Sequence, residues 1–136
     1  MKLAEIVRVD SKGRITIPMV VREALGIVEG MNLVLIADID KKEIVVSPLP
    51  TRALSLYEFY IEIKDIPGAL ARVSNKLAEL GVDQLTTQCT IVKRGELAEC
   101  ILIVDISGAS KPLEEIRASL MELPEVQLVN IRQLRR

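Results

Sequence analysis

The stretch that decides the fold is Ile6–Ile27, IVRVDSKGRITIPMVVREALGI. Ile6-Val7-Arg8-Val9 is short, branched and apolar, the composition of a strand. Asp10-Ser11-Lys12-Gly13 is turn chemistry, because Asp and Ser bond the local backbone and Gly supplies a positive φ. Arg14-Ile15-Thr16-Ile17 alternates, so Arg14 and Thr16 share one face and Ile15 and Ile17 the other. Pro18 ends the strand and suits a helix start, Val20–Leu25 is a short helix, and Gly26 stands where its C-terminal cap belongs. Arg8, Lys12, Arg14 and Arg22 punctuate this strand–turn–strand–helix unit, three of them around one turn.

Outward from it, Asn32–Asp38 (NLVLIAD) and Glu43–Ser47 (EIVVS) read as two strands joined through Asp40-Lys41-Lys42. Elements this short cannot enclose a core, and a segment of about 48 residues buries too little surface to stand alone. Two copies interleaving their hairpins resolve the shortage, so an obligate dimer is expected.

Composition narrows the function classes. The 136 residues are 49% hydrophobic and 27% charged with a net charge of −1, which excludes disorder but does not by itself point to nucleic acid. The charge is local: residues 1–22 carry Lys2, Arg8, Lys12, Arg14 and Arg22 against Glu5 and Asp10. There is no histidine, so Ser-His-Asp and Cys-His sites are impossible within the chain, and two cysteines are too few for a zinc site. No catalytic residue, metal or cofactor is expected, and no enzyme. The start has no apolar signal core and no run reaches a membrane span, so a cytoplasmic protein is expected.

The pattern V-R-V-D-S-K-G-R-I-T-I-P-M-V-V-R-E-A-L-G-I, with E-G-M-N-L-V-L and E-I-V-V after it, resembles the AbrB/SpoVT/MazE-type swapped-hairpin DNA-binding domain over residues 4–48. The resemblance implies a dimeric β-barrel that sets basic loops of both subunits against double-stranded DNA. Its contact positions correspond to Arg8, Lys12, Arg14 and Arg22. As isolated residues these would be ordinary solvated charges, but a hairpin brings Arg8 and Arg14 together beside Lys12. Arg also suits bidentate contact with phosphate or guanine.

Ser47-Pro48-Leu49-Pro50-Thr51 interrupts any regular element, which places a hinge over residues 49–55 between a domain at 1–48 and one at 56–136. Leu56–Lys64 alternates Glu58, Tyr60 and Glu62 against Tyr57, Phe59, Ile61 and Ile63. Ala69–Leu80 sets Leu70, Val73, Leu77 and Leu80 on one helical stripe. Strands follow at Leu85–Val92 and Leu97–Asp105 around Lys93-Arg94-Gly95-Glu96. A second helix turns Leu113, Ile116, Leu120 and Leu123 inward, and Val126–Leu134 closes the set. The whole is α+β, with a βαββαβ, ferredoxin-like second half.

With Asp65-Ile66-Pro67-Gly68-Ala69-Leu70 at the first strand–helix junction, residues 56–134 resemble the ACT domain. That resemblance implies self-pairing, with tetramers open to a chain that also dimerises at its start. It also implies a small-molecule effector, an amino acid, at Asp65, Pro67, Gly68, Ala69 and Leu70, with Asp83 facing them from the next strand. Free N–H groups at the helix start suit a carboxylate and Asp65 suits an ammonium. The bland alternative is that Pro67-Gly68 starts a helix and Asp65 caps it. Asp83 stands where effector-binding members often carry an amide, and Ile63 offers no polar group.

Counting outward from a two-residue loop at Arg94-Gly95 sets Cys89 opposite Cys100, on the face that carries Leu85, Ile91, Ala98, Leu102 and Val104. Buried free thiols are expected there, with a redox switch as the alternative.

These readings converge on a DNA-binding transcriptional regulator whose second domain senses an effector. Two alternatives stand beside it: an ACT-type regulatory subunit of a metabolic enzyme, and an antitoxin-like DNA-binding protein.

Overall fold

A computed structural model describes residues 1–49 and 55–135. The chain divides into two compact units, Met1–Pro50 and Thr51–Arg136. The hinge expected at 49–55 lies, apart from its two end residues, outside the described residues.

The first unit contains helix α1 (Met19–Leu25) and strands β1 (Leu33–Asp38) and β2 (Glu43–Pro48), which pair antiparallel as a hairpin. Gly26 closes α1, its N–H donating to the Glu23 carbonyl while Ile27 N–H donates to that of Arg22. The strands expected at residues 6–9 and 14–17 do not form in the single chain. A strand needs a ladder partner, and within one chain nothing pairs with either segment beyond the turn that joins them.

Burial tells the same story. Ile36 is the one buried residue among the described residues of this unit. Ile6 is fully exposed, Val9 is 64% exposed, Leu35 61% and Ile44 64%. Branched aliphatics in strand-forming sequence, left in water at this density, are an unfinished core.

The second unit is finished. Its order is β3 (Leu56–Ile63), α2 (Ala69–Glu79), β4 (Asp83–Lys93), β5 (Leu97–Asp105), α3 (Leu113–Met121) and β6 (Val126–Gln133). The four strands make one antiparallel sheet in the order β4-β5-β3-β6. Alternation along β3 sends Phe59, Ile61 and Ile63 into the core, where they meet Val73 and Leu77 of α2 and Ile116 and Leu120 of α3. Cys100, Leu102 and Val104 of β5 complete that core. The helix-free face is more polar: Tyr60 Oη donates to Glu99 Oε2 at 2.9 Å, and Arg132 pairs with Glu58 across β3 and β6. Burial, with the neighbouring Glu99 carboxylate, pushes the Tyr60 hydroxyl up to about 12.

Two irregularities shape β4. Its register with β5 slips at Leu85 and again at Val92, so Leu85 is a bulged residue rather than the core partner of Val104 that strict alternation predicts. Between the slips the register is regular and sets Cys89 directly opposite Cys100. The expectation of free thiols is corrected here: the two sulfurs are bonded, and there is no free cysteine among the described residues. Cys100 lies in the core, but Cys89 is exposed on the outer strand.

No helix among the described residues is long and apolar enough to cross a membrane.

Candidate nucleic-acid interface

The basic turn is built by one carboxylate. Asp10 Oδ1 accepts from the backbone N–H of both Lys12 and Arg14, each at 2.9 Å, and its Oδ2 accepts from Arg14 Nε at 2.8 Å. The backbone closes the same loop: Gly13 N–H donates to the Asp10 carbonyl at 3.0 Å and Asp10 N–H to the Arg14 carbonyl at 2.9 Å. Gly13 takes φ 77°, the left-handed conformation that completes a three-residue hairpin loop and that a side chain would resist. Asp10 therefore presents Lys12 and Arg14 on one rigid knuckle. Arg14 commits Nε to it and is still 69% exposed.

Beyond the turn chemistry that its place in the sequence announces, Asp10 holds Arg14 in an ion pair. The signal was there, an acid four residues before an arginine across a glycine turn. These bonds to Arg14 hold the Asp10 carboxyl below the usual aspartate range. A depressed carboxyl pKa stabilises the turn at every pH above the unfolded value, and the contribution is lost as pH falls through the depressed one. The amide resonances of Lys12 and Arg14 should accordingly titrate together, with a midpoint below that of a free aspartate. Asp10→Asn should abolish the titration and leave the loop looser. A midpoint at or above the free value would show that the carboxylate does not brace the turn.

The other two basic residues are exposed but separate. Arg8 precedes the turn, and no ladder in the single chain draws it to Arg14 as the hairpin reading expected. Arg22 sits in the last turn of α1, where a cation complements the helix dipole. Among the described residues neither side chain makes an ion pair or hydrogen bond, so Arg8 and Arg22 present positive charge without an acidic partner. Arg14, paired with Asp10, is the exception.

Of the second candidate set, Asp65, Pro67, Gly68, Ala69 and Leu70 share the turn into α2, and Asp83 is not brought to them. Asp65 lies beyond the Ile63 end of β3, and its Oδ2 accepts from Gly95 N–H at 2.7 Å, tying the loop to the β4–β5 turn. Asp83 pairs with Asp105, which pairs with Leu56, at the opposite end of the sheet. Seven residue steps of strand separate the two levels, roughly 23 Å. The expectation that Asp83 faces the loop is thus corrected for a single chain. Ala69 is buried, and Pro67 and Gly68 are exposed.

Arg72 of α2 lies over Gly68, where a Cβ would come within 2.9 Å of its Nη1. Arg72 also pairs with the buried Glu125, a partnership 53 residues apart in sequence that no local pattern could have announced. A separate open cavity of about 340 Å³ lies between α3 and β6, lined by Tyr57, Leu113, Glu114, Arg117, Asn130 and Ile131. No group of acids and cysteines among the described residues is arranged to hold a metal ion.

Comparison with known proteins adds one assignment. Among solved structures the chain is similar to the solution structure of the C-terminal domain of the MgtC protein from Mycobacterium tuberculosis, at 13% identity and a TM-score of 0.46. That similarity covers 62% of this chain and 93% of the other. No curated protein matches the chain. Residues 6–53 match the family model described as antidote-toxin recognition MazE, bacterial antitoxin, a span that takes in Arg8, Lys12, Arg14, Arg22 and all three elements of the first unit. The N-terminal unit is similar to that family over this span.

Proposed function

We propose that the protein is a non-enzymatic, DNA-binding transcriptional regulator that works as an even-numbered homo-oligomer. The observation that carries this reading is the Asp10-braced knuckle of Lys12 and Arg14, mounted on a unit whose aliphatic residues have no core of their own. Interleaving two such units covers Ile6, Val9, Leu35 and Ile44 and, in the same step, doubles the cationic surface. Arg8, Lys12, Arg14 and Arg22 from both chains then face double-stranded DNA, with phosphate contact supplying affinity and any arginine–guanine contact supplying sequence preference.

The second unit acts, in this proposal, as a ferredoxin-like ACT-type module that pairs chains and senses a small effector, an amino acid. Support for it is the βαββαβ order together with the Asp65–Leu70 turn at the first strand–helix junction. The distance between Asp83 and Asp65 has a natural resolution in pairing. Antiparallel association of two β4 edges carries Asp83 of one chain toward the end of its partner's β4, the end to which Asp65 is tied through Gly95. The effector site would then exist only between chains. An effector that binds one arrangement better than another shifts DNA affinity by that difference and no more.

The first test is a gel shift of the full chain against genomic DNA fragments at low salt. A shift that recedes as salt rises is the expected outcome. Absence of any shift would favour a regulatory subunit of an enzyme. The antitoxin-like reading has its own support in the match of residues 6–53 to the bacterial antitoxin family model. A tagged chain that captures a small toxin protein from its own cells would bring that reading to the front.

A further inference from the structure

We propose that Cys89 is a thiol-exchange site, the accessible half of a reversible Cys89–Cys100 clasp on the outer strand of the second unit's sheet. Three observations carry this. The two residues are directly opposed in the β4–β5 register and their sulfurs are bonded. β4 is an edge strand of the chain's own sheet and Cys89 is exposed on it; β4–β4 pairing as proposed above engages the strand's backbone groups and leaves its side chains on the sheet faces. Cys100 is 1% exposed, packed in the core, with Ile61 opposite it on the other side.

The sheet does not depend on the bond. The β4–β5 turn, closed by Glu96 N–H donating to the Lys93 carbonyl, already joins the two strands a few residues away. A cross-link over a sequence separation of 11 removes less chain entropy than one closing a long loop. Cys100 as a free thiol remains a small apolar side chain suited to its place. The clasp can therefore open without loss of the fold, which a reversible site requires.

The asymmetry of exposure sets the order of events. The thiolate of a small dithiol attacks Cys89 Sγ, the Cys89–Cys100 bond breaks, and Cys100 departs as a thiolate that takes up a proton. The second thiol of the reductant, deprotonated, attacks its own sulfur in the mixed disulfide and releases Cys89. Two protein thiols and one cyclic disulfide result, with the dithiol oxidised by two electrons. Glutathione disulfide reverses the change by the same exchanges. Opening removes the cross-link and leaves the β4–β5 ladder, so the structural readout belongs to this strand.

The test uses the full chain, dithiothreitol as reductant and iodoacetamide labelling read by mass spectrometry. The oxidised chain should contain no reactive thiol. After dithiothreitol in native buffer, Cys89 should be alkylated readily and Cys100 roughly tenfold or more slowly until denaturant is added. Hydrogen exchange should quicken at the β4 amides on reduction while β3 is unchanged, and glutathione disulfide should restore both. Cys89→Ser supplies an independent check: it should leave one protected thiol and a β4 exchange pattern matching reduced wild type. Two thiols that stay open under glutathione disulfide would overturn the proposal. So would a bond that opens only on unfolding, or equal labelling of the two cysteines.

Discussion

Arg14→Ala is expected to weaken DNA binding by about 2 kcal/mol, roughly thirtyfold, at about 0.15 M salt. The size follows from symmetry. A dimer loses the side chain twice, and each lost phosphate contact costs on the order of 1 kcal/mol. The same doubling governs the salt dependence: log K against log salt should flatten by about 1.8, twice the 0.9 that one phosphate contributes on duplex DNA. A titration in which affinity falls but the slope stays at its wild-type value would assign Arg14 to the fold of the turn instead of to phosphate. Asp10→Asn separates the two roles further. It removes a negative charge beside the DNA but frees Arg14 to wander, so the gain in charge is offset by the loss of a preset geometry.

The second large effect is on stability. Gly81→Ala is expected to destabilise the second unit by about 2–4 kcal/mol. Gly81 follows α2 with φ 74°, a left-handed conformation that already resists a side chain, and a Cβ there would lie 2.5 Å from the carbonyl oxygen of Gly108. That oxygen belongs to backbone, and the adjoining chain is tied to the end of α2 by Ser110 N–H donating to the Leu80 carbonyl at 2.9 Å. Neither side can yield cheaply. Urea unfolding should show the midpoint falling with the slope unchanged. A loss under 1 kcal/mol would mean that the segment from Gly108 to Ser110 is not held against α2.

How much was legible in the sequence differs between the two units, for a physical reason. In the second unit the signal is self-contained. Alternation from Tyr57 to Ile63 and the helical stripe Leu70, Val73, Leu77, Leu80 identify elements that bury against one another within one chain; the core contains Phe59, Ile61, Ile63, Val73, Leu77 and Leu80, with Tyr57 and Leu70 partly buried against it. What alternation cannot register is a bulge, so Leu85 leaves the expected face. Two further features rest on contacts distant in sequence: the Arg72–Glu125 pair and the location of Asp83 across the sheet from Asp65. The state of the two cysteines was open for another reason. Register places the sulfurs opposite each other, but whether they bond depends on exposure, and Cys89 lies on an uncovered edge.

In the first unit the order is reversed. The motif from Val7 to Ile27 was legible as chemistry, and Lys12 and Arg14 do share one turn. Its strands are not formed in the single chain, because their partners are not local. The exposure of Ile6 and Val9 that goes with these unformed strands is what the proposed second copy would cover. One chain holds a turn, and two would hold a surface.

The measurement that bears most directly on this is the mass of the full chain bound to a double-stranded DNA fragment that it shifts, by sedimentation at low salt. An even number of 15.1 kDa chains on each DNA site is the predicted result. A single chain on each site, or no complex at any salt concentration, would contradict it.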